Sequence, residues 1–206
     1  NGLLVNQKKN TDGTRTDQWK LDLPIAPYLF FMGVGDYAII KDSYKGKEVS
    51  YYVEKEYAPY ARGIFGHTPE MMKFYSEKLG VEYAWPKYSQ IVGRDYVSGA
   101  MENVTATLHQ ESAYQNGREL VDGNRWETVI AHELFHHWFG DLVTTESWSN
   151  ITVNESFADY SQTLWEEYKY GKDAGDEENF NGMIGYLNSG GDDLDRNSRR
   201  LEFAAF

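Results

Sequence analysis

His132-Glu133-Leu134-Phe135-His136 sets two imidazoles four positions apart, with a carboxylate next to the first. A helix advances about 100° per residue, so residues four apart lie about 40° from each other on one face. Both rings can therefore reach a single ion, and imidazole nitrogen is a common ligand of Zn2+. Glu133 sits one residue after the first ring. From there its carboxylate can reach a metal-bound water without becoming a ligand. A bare H-E-x-x-H also arises by chance, so the surrounding residues decide its weight.

Glu155 follows His136 after 18 intervening residues, at the first turn of the next expected helix. Two helices joined by a return loop can bring it to the same point. Two His and one Glu with a fourth position open form a catalytic zinc pattern, whereas structural sites are closed. Asp159 lies four residues after Glu155, on the same helical face. Ligating histidines commonly donate their second N–H to a carboxylate or carbonyl. Asp159 is either that acceptor, for His132, or a solvent-facing acid. His137 points about 100° away from His136 and cannot share its ion. His67 and His109 stand alone and read as structural.

The elements that must position these residues are legible as an α+β mixture. Residues 2–23 read as a hairpin around the turn cluster Asn10-Thr11-Asp12-Gly13. Pro24 and Pro27 mark a boundary. Tyr28–Met32, Asp36–Lys41 and Val49–Glu54 are rich in aromatic and β-branched residues and read as strands. Thr68-Pro69-Glu70 opens a helix, with Thr68 as N-cap and Met71, Met72, Tyr75 and Leu79 as its apolar stripe, stopped by Gly80. Strands are expected at 88–92 and 103–109. A helix capped by Asn124, with Glu127 completing a capping-box pattern, is expected to run to Phe139. Asn154 is expected to cap another that ends before Gly171. Residues 173–195 hold seven acids and several glycines without Lys or Arg, and read as a solvated loop.

Composition narrows the chemistry. The chain has 206 residues, enough for one or two domains, and 41% of them are hydrophobic. With 20 basic against 32 acidic residues the net charge is −12, which argues against a nucleic-acid binder. No cysteine is present, which excludes a disulfide scaffold, a Cys-ligated metal and a Cys nucleophile. No apolar run approaches the ~20 residues of a membrane span.

At the residues named above the chain resembles the aminopeptidase N family of zinc metallopeptidases (gluzincins). The family pattern is H-E-x-x-H, 18 residues, then Glu. Val153-Asn154-Glu155-Ser156-Phe157-Ala158 is similar to the family's N-E-G-F-A, with Ser for Gly. The family's G-x-M-E-N strand is matched by Gly99-Ala100-Met101-Glu102-Asn103, and Trp85-Pro86-Lys87-Tyr88 also looks like a family segment. His137 and Asp141 stand where Gln and Asn are frequent, and neither is a ligand position.

The resemblance implies a thermolysin-like zincin catalytic domain, with a mixed sheet and active-site helices. Residues 1–26 would be the end of a β domain, and residues 27–206 the N-terminal part of the catalytic domain. It implies one Zn2+ held by His132, His136 and Glu155, with Glu133 as the catalytic base. The substrate would be a peptide with a free N-terminus. Glu102 would anchor its α-amino group, and the Gly99–Asn103 strand would pair with its backbone. Without the resemblance, Glu102 would read as a surface strand carboxylate. The family's second oxyanion donor, a Tyr hydroxyl, would fall past Phe206, and the helical C-terminal part would be absent. The isolated chain is therefore expected to be a poor peptidase. Two other readings stand beside this one: a thermolysin-type zinc endopeptidase, and an inactive zinc-binding scaffold.

Overall fold

A computed structural model of the chain describes residues 1–188. They pack as two compact units, Asn1–Asn124 and a second beginning at Arg125.

The first unit opens with the expected hairpin, β1 (Leu3–Lys9) and β2 (Arg15–Lys20), paired antiparallel. Its turn is closed by Asn10 and Thr14, with Gly13 at a φ of 86°. The main sheet has five strands in the order β3-β4-β5-β7-β6. Strands β3 (Ala38–Tyr44) and β4 (Lys47–Val53) form a hairpin whose two turn residues, Lys45 and Gly46, both have positive φ. Such a turn matches the right-handed twist of its strands.

Helices α1 (Ala61–Phe65) and α2 (Thr68–Leu79) then carry the chain to β5 (Lys87–Gly93), which runs parallel to β4. Six of the seven β5 residues are buried, as expected for a central strand covered on both faces. The short edge strand β6 (Ala100–Met101) pairs antiparallel with β7 (Ala106–Gln110), which is parallel to β5. Val49, Tyr51 and Val53 of β4, Tyr88 and Val92 of β5, and Met71, Met72 and Tyr75 of α2 belong to the buried core.

The second unit is helical: α3 (Glu127–Phe135), α4 (Thr152–Tyr170) and α5 (Lys172–Asn188). Among the described residues no helix is long and apolar enough to cross a membrane.

Several local expectations are corrected. Tyr28–Met32 is not a strand: Pro27–Leu29 form a 3-10 turn, and Phe30 and Met32 are exposed. Proline suits the first position of a helical turn, and among the described residues no strand pairs with 28–32. Thr68 does not cap α2. Its hydroxyl is buried, donates to Phe65 O and accepts from Gln90 Nε2. The residue before α3 is Trp126, which makes no side-chain cap, and Asn124 bonds Ile64 O and Gln115 within the first unit. The strand expected at 103–109 begins at Ala106, because Thr105 has a φ of 65° and Ala106 N closes a turn onto Asn103 O. Asn154 lies inside α4, where it accepts from Thr145 N.

Residues 173–188 are helical, with 189–195 outside the described residues. Asp173 lies in the first turn of α5, where a negative charge is favourable, and Lys172 pairs with Asp176 one turn on. Gly175 faces α4 closely: a Cβ there would stand 2.8 Å from Glu167 Cβ.

Candidate metal centre

The second unit brings His132, His136, Glu155 and Asp159 together. Ile130, Ala131 and Leu134 bury one side of α3. His132 occupies its last turn, and His136 is the C-cap residue, still with helical φ and ψ. The helix therefore ends four residues earlier than Phe139. Beyond it, His137 N and Trp138 N bond carbonyls three residues back, and Gly140 takes a φ of 134°. This tight exit turns the chain into the return loop while leaving both rings on one side.

Packing within this unit fixes α4 against α3. Glu127, buried at the start of α3, accepts from Trp165 Nε1 at 2.7 Å and from Tyr170 OH at 3.0 Å. Phe139 stacks on Phe157 with centroids 4.8 Å apart. These contacts set the first turn of α4, and with it Glu155, beside the imidazoles.

His132 Nε2 and His136 Nε2 stand 2.9 Å apart. Glu155 Oε2 lies 3.4 Å from the first and 3.5 Å from the second. The other ring nitrogens are committed elsewhere. His132 Nδ1 lies 3.0 Å from Asp159 Oδ1, and His136 Nδ1 lies 2.9 Å from Phe139 O. With each Nδ1–H donating to oxygen, each Nε2 turns its lone pair inward. Two lone pairs and a carboxylate then face one point, an arrangement that calls for a positive charge.

A proton on His132 can meet the same demand for positive charge. Burial disfavours a charged His132, but Asp159 and Glu155 outweigh it and hold the ring well above the usual imidazole range. Burial likewise opposes ionisation of Glu155, yet the two histidines hold it well below the usual carboxylate range. The three donors fit a Zn2+ ion: ligand atoms at about 2.0–2.1 Å around a tetrahedral centre stand about 3.3 Å from each other. The triangle seen here has edges of 2.9, 3.4 and 3.5 Å.

Glu133 is buried, and its backbone carbonyl lies 3.3 Å from His137 Nδ1. His137 is itself buried, 3.5 Å from Asp141 Oδ2, and takes no place among the three donors. Two further residues shape the centre. Gln162 donates to Asp159 Oδ1 at 3.3 Å and lies 3.1 Å from His132 Nδ1. It is seven residues after Glu155 and three after Asp159, so helical spacing alone would have picked it out. Gly140 packs on His136: a Cβ there would stand 3.0 Å from Nδ1. Its sequence signal was only that of a helix stop.

Gly99–Asn103 lie in the first unit. Ala100 and Met101 form β6 at the end of the sheet order, paired with His109 and Leu108, while Gly99 O accepts from Gln110 N at 2.9 Å. Glu102 and Asn103 are both buried, so Glu102 is not a surface carboxylate. Asn103 Nδ2 reaches Leu29 O at 3.5 Å.

Comparison with known proteins gives these features a family. Residues 64–200 match the family model described as the peptidase family M1 domain. Human glutamyl aminopeptidase is 30% identical over 172 residues, covering 79% of this chain and 18% of the relative. Probable aminopeptidase 2 of Sulfurisphaera tokodaii is 34% identical over 140 residues, covering 66% and 18%. Rat endoplasmic reticulum aminopeptidase 1 is 28% identical over 183 residues, covering 82% and 20%. The chain thus spans about a fifth of the length of these relatives. Its mixed sheet, its helices and a match over most of its length place it: the chain belongs to peptidase family M1.

Proposed function

We propose that the chain carries the zinc-binding catalytic region of an aminopeptidase. The observation that carries this reading is the triangle of His132 Nε2, His136 Nε2 and Glu155 Oε2, with both Nδ1 atoms engaged by oxygen. On this reading residues 27–206 are the N-terminal part of a thermolysin-like catalytic domain, and residues 1–26 are the end of a β domain.

His132, His136 and Glu155 would hold one Zn2+. When bound, the ion polarises the scissile carbonyl and lowers the pKa of its water toward ~7. Glu133 receives a proton on its carboxylate from the attacking water and delivers it to the departing amine. Asp159 fixes the tautomer and orientation of His132, and Phe139 O does the same for His136.

Gly99–Asn103 would receive the substrate. An edge strand offers main-chain groups to an extended peptide, and β6 is one of the two edge strands of the five-stranded sheet. Glu102 would pair with the substrate's α-amino group, which is largely cationic at neutral pH. That contact distinguishes an exopeptidase, because a carboxylate anchor there favours a free amine.

The test compares two substrates on the zinc-loaded protein. A peptide with a free N-terminus should be cleaved, and its N-acetylated form should not. Equal rates would overturn the aminopeptidase reading.

A further inference from the structure

The first unit encloses a second site unrelated to the histidine centre. A cavity of about 400 Å3 lies against one face of the main sheet, within the ~300–1,000 Å3 range that holds small ligands. Tyr52 and Ile91 line it from β4 and β5, and Leu21, Leu23 and Phe31 from the segment that follows the hairpin. These walls are apolar.

Lys87, at the start of β5, lines the same cavity and is 5% exposed. Its Nζ donates to Ser89 Oγ at 2.8 Å and to Thr105 O at 2.7 Å, and lies 5.6 Å from the centre of the Trp19 ring. An ammonium has three donors, so one remains for a ligand. Among the described residues no carboxylate forms an ion pair with it. Glu48, its register partner on β4, is bound instead by Lys41 at 2.8 Å. A buried cation without a counter-ion is costly. Burial lowers its pKa to about 8, which leaves it mostly protonated at neutral pH.

An apolar chamber with a buried ammonium that no carboxylate pairs directly suits an anion attached to a hydrocarbon. A polyanion such as a nucleotide would need more than one cation and a polar wall. We propose that this cavity binds a medium-chain aliphatic carboxylate, its chain against Leu21, Phe31, Tyr52 and Ile91 and its headgroup on Lys87 Nζ. Ser89 Oγ, which also bonds Ser50 Oγ at 2.9 Å, holds the ammonium in place.

The test titrates the 206-residue chain, with zinc chelated, against decanoate, 1-decanol and decyltrimethylammonium, each below its micelle concentration, by calorimetry. Decanoate should bind one per chain and at least ~10-fold tighter than decanol, a difference of about 1.4 kcal/mol; decyltrimethylammonium should bind weakest. Lys87→Met should remove the preference for decanoate while leaving decanol unchanged. Should that variant not fold, Ala106→Phe, which fills the cavity and keeps Lys87, should abolish binding of all three. Equal binding of decanoate and decanol, or no saturable binding, would overturn the proposal. A carboxylate preference surviving in Lys87→Met would assign the charge to the α-amino group of Asn1, which borders the same cavity, and would equally overturn it.

Discussion

His132 Nε2 and His136 Nε2 face each other at 2.9 Å while Asp159 Oδ1 and Phe139 O take their other nitrogens. Two imidazoles held this way repel unless a cation lies between them. The first prediction follows from that pair. Zinc should bind one per chain and raise the melting temperature, because a ligand that binds only the folded state stabilises it by about 4 kcal/mol at a thousandfold excess over Kd. His136→Ala should remove the shift. Thermal melts in zinc and in chelator measure it, and an unchanged zinc-dependent shift in the variant would place the ion elsewhere.

Asp159 acts through His132. Asp159→Ala should weaken zinc affinity about 10–100-fold, read by competition with a chelator of known affinity. Asp159→Asn keeps an oxygen acceptor at Oδ1 and should lose less. A surface acid with no such role would leave both variants at wild-type affinity.

How far these positions can be read from sequence depends on what each polar group finds in space. The four-residue spacing of His132 and His136 survives folding because both stay in helical conformation to the C-cap. Glu155 and Asp159 share one face of α4 for the same reason. Capping signals survived less well. Thr68 and Asn124 have the residue types of N-caps, but buried partners distant in sequence claim their side chains, Gln90 for one and Ile64 O for the other. Glu127 reads as a capping-box acid and is instead the acceptor for Trp165 and Tyr170. Helix α5 reads as a loop because it buries only Gly175, which leaves almost no apolar period to detect. Local patterns mislead where a tertiary partner takes the polar group, or where a helix packs on its neighbour with almost no buried apolar side chain.

Glu127 gives the third prediction. Trp165 is fully buried, and its Nε1–H donates to Glu127 Oε1 at 2.7 Å. Glu127→Ala leaves that donor without its acceptor, which costs about 1–3 kcal/mol. Urea unfolding should show the loss as a lower midpoint. Glu127→Gln retains an oxygen and should cost less, whereas equal losses in the two variants would point to packing volume instead.

Glu166 supplies a pH dependence. Burial first, then the charges of Glu127 and Glu178, raise its pKa from 4.5 to about 7. A carboxyl raised on folding favours the protonated state. Its contribution is fully present below the unfolded value of 4.5 and is lost as pH rises through about 7. Glu166 is only half-buried, so solvent screening should hold the effect below about 1 kcal/mol. Glu166→Gln should therefore match wild type in urea at pH 4 and exceed it at pH 8. A constant difference across that range would remove Glu166 as the source.

Gly140 offers the last and most local test. Its φ of 134° lies where side chains rarely go, and a Cβ would stand 3.0 Å from His136 Nδ1 and 3.2 Å from His136 O. The Nδ1 atom is the one that donates to Phe139 O, so the intruding methyl must displace either the ring or the turn that supplies its acceptor. Gly140→Ala should lower stability by about 1–3 kcal/mol, as expected for an L residue forced into a rare backbone region. It should also weaken zinc binding, since His136 can no longer hold its orientation. The two effects separate by measurement: urea unfolding in chelator reads the strain, and chelator competition reads the ring. Unchanged zinc affinity with reduced stability would mean that the turn yields and the imidazole does not, which would assign the orientation of His136 to Glu155 and His132 instead of to the carbonyl behind it.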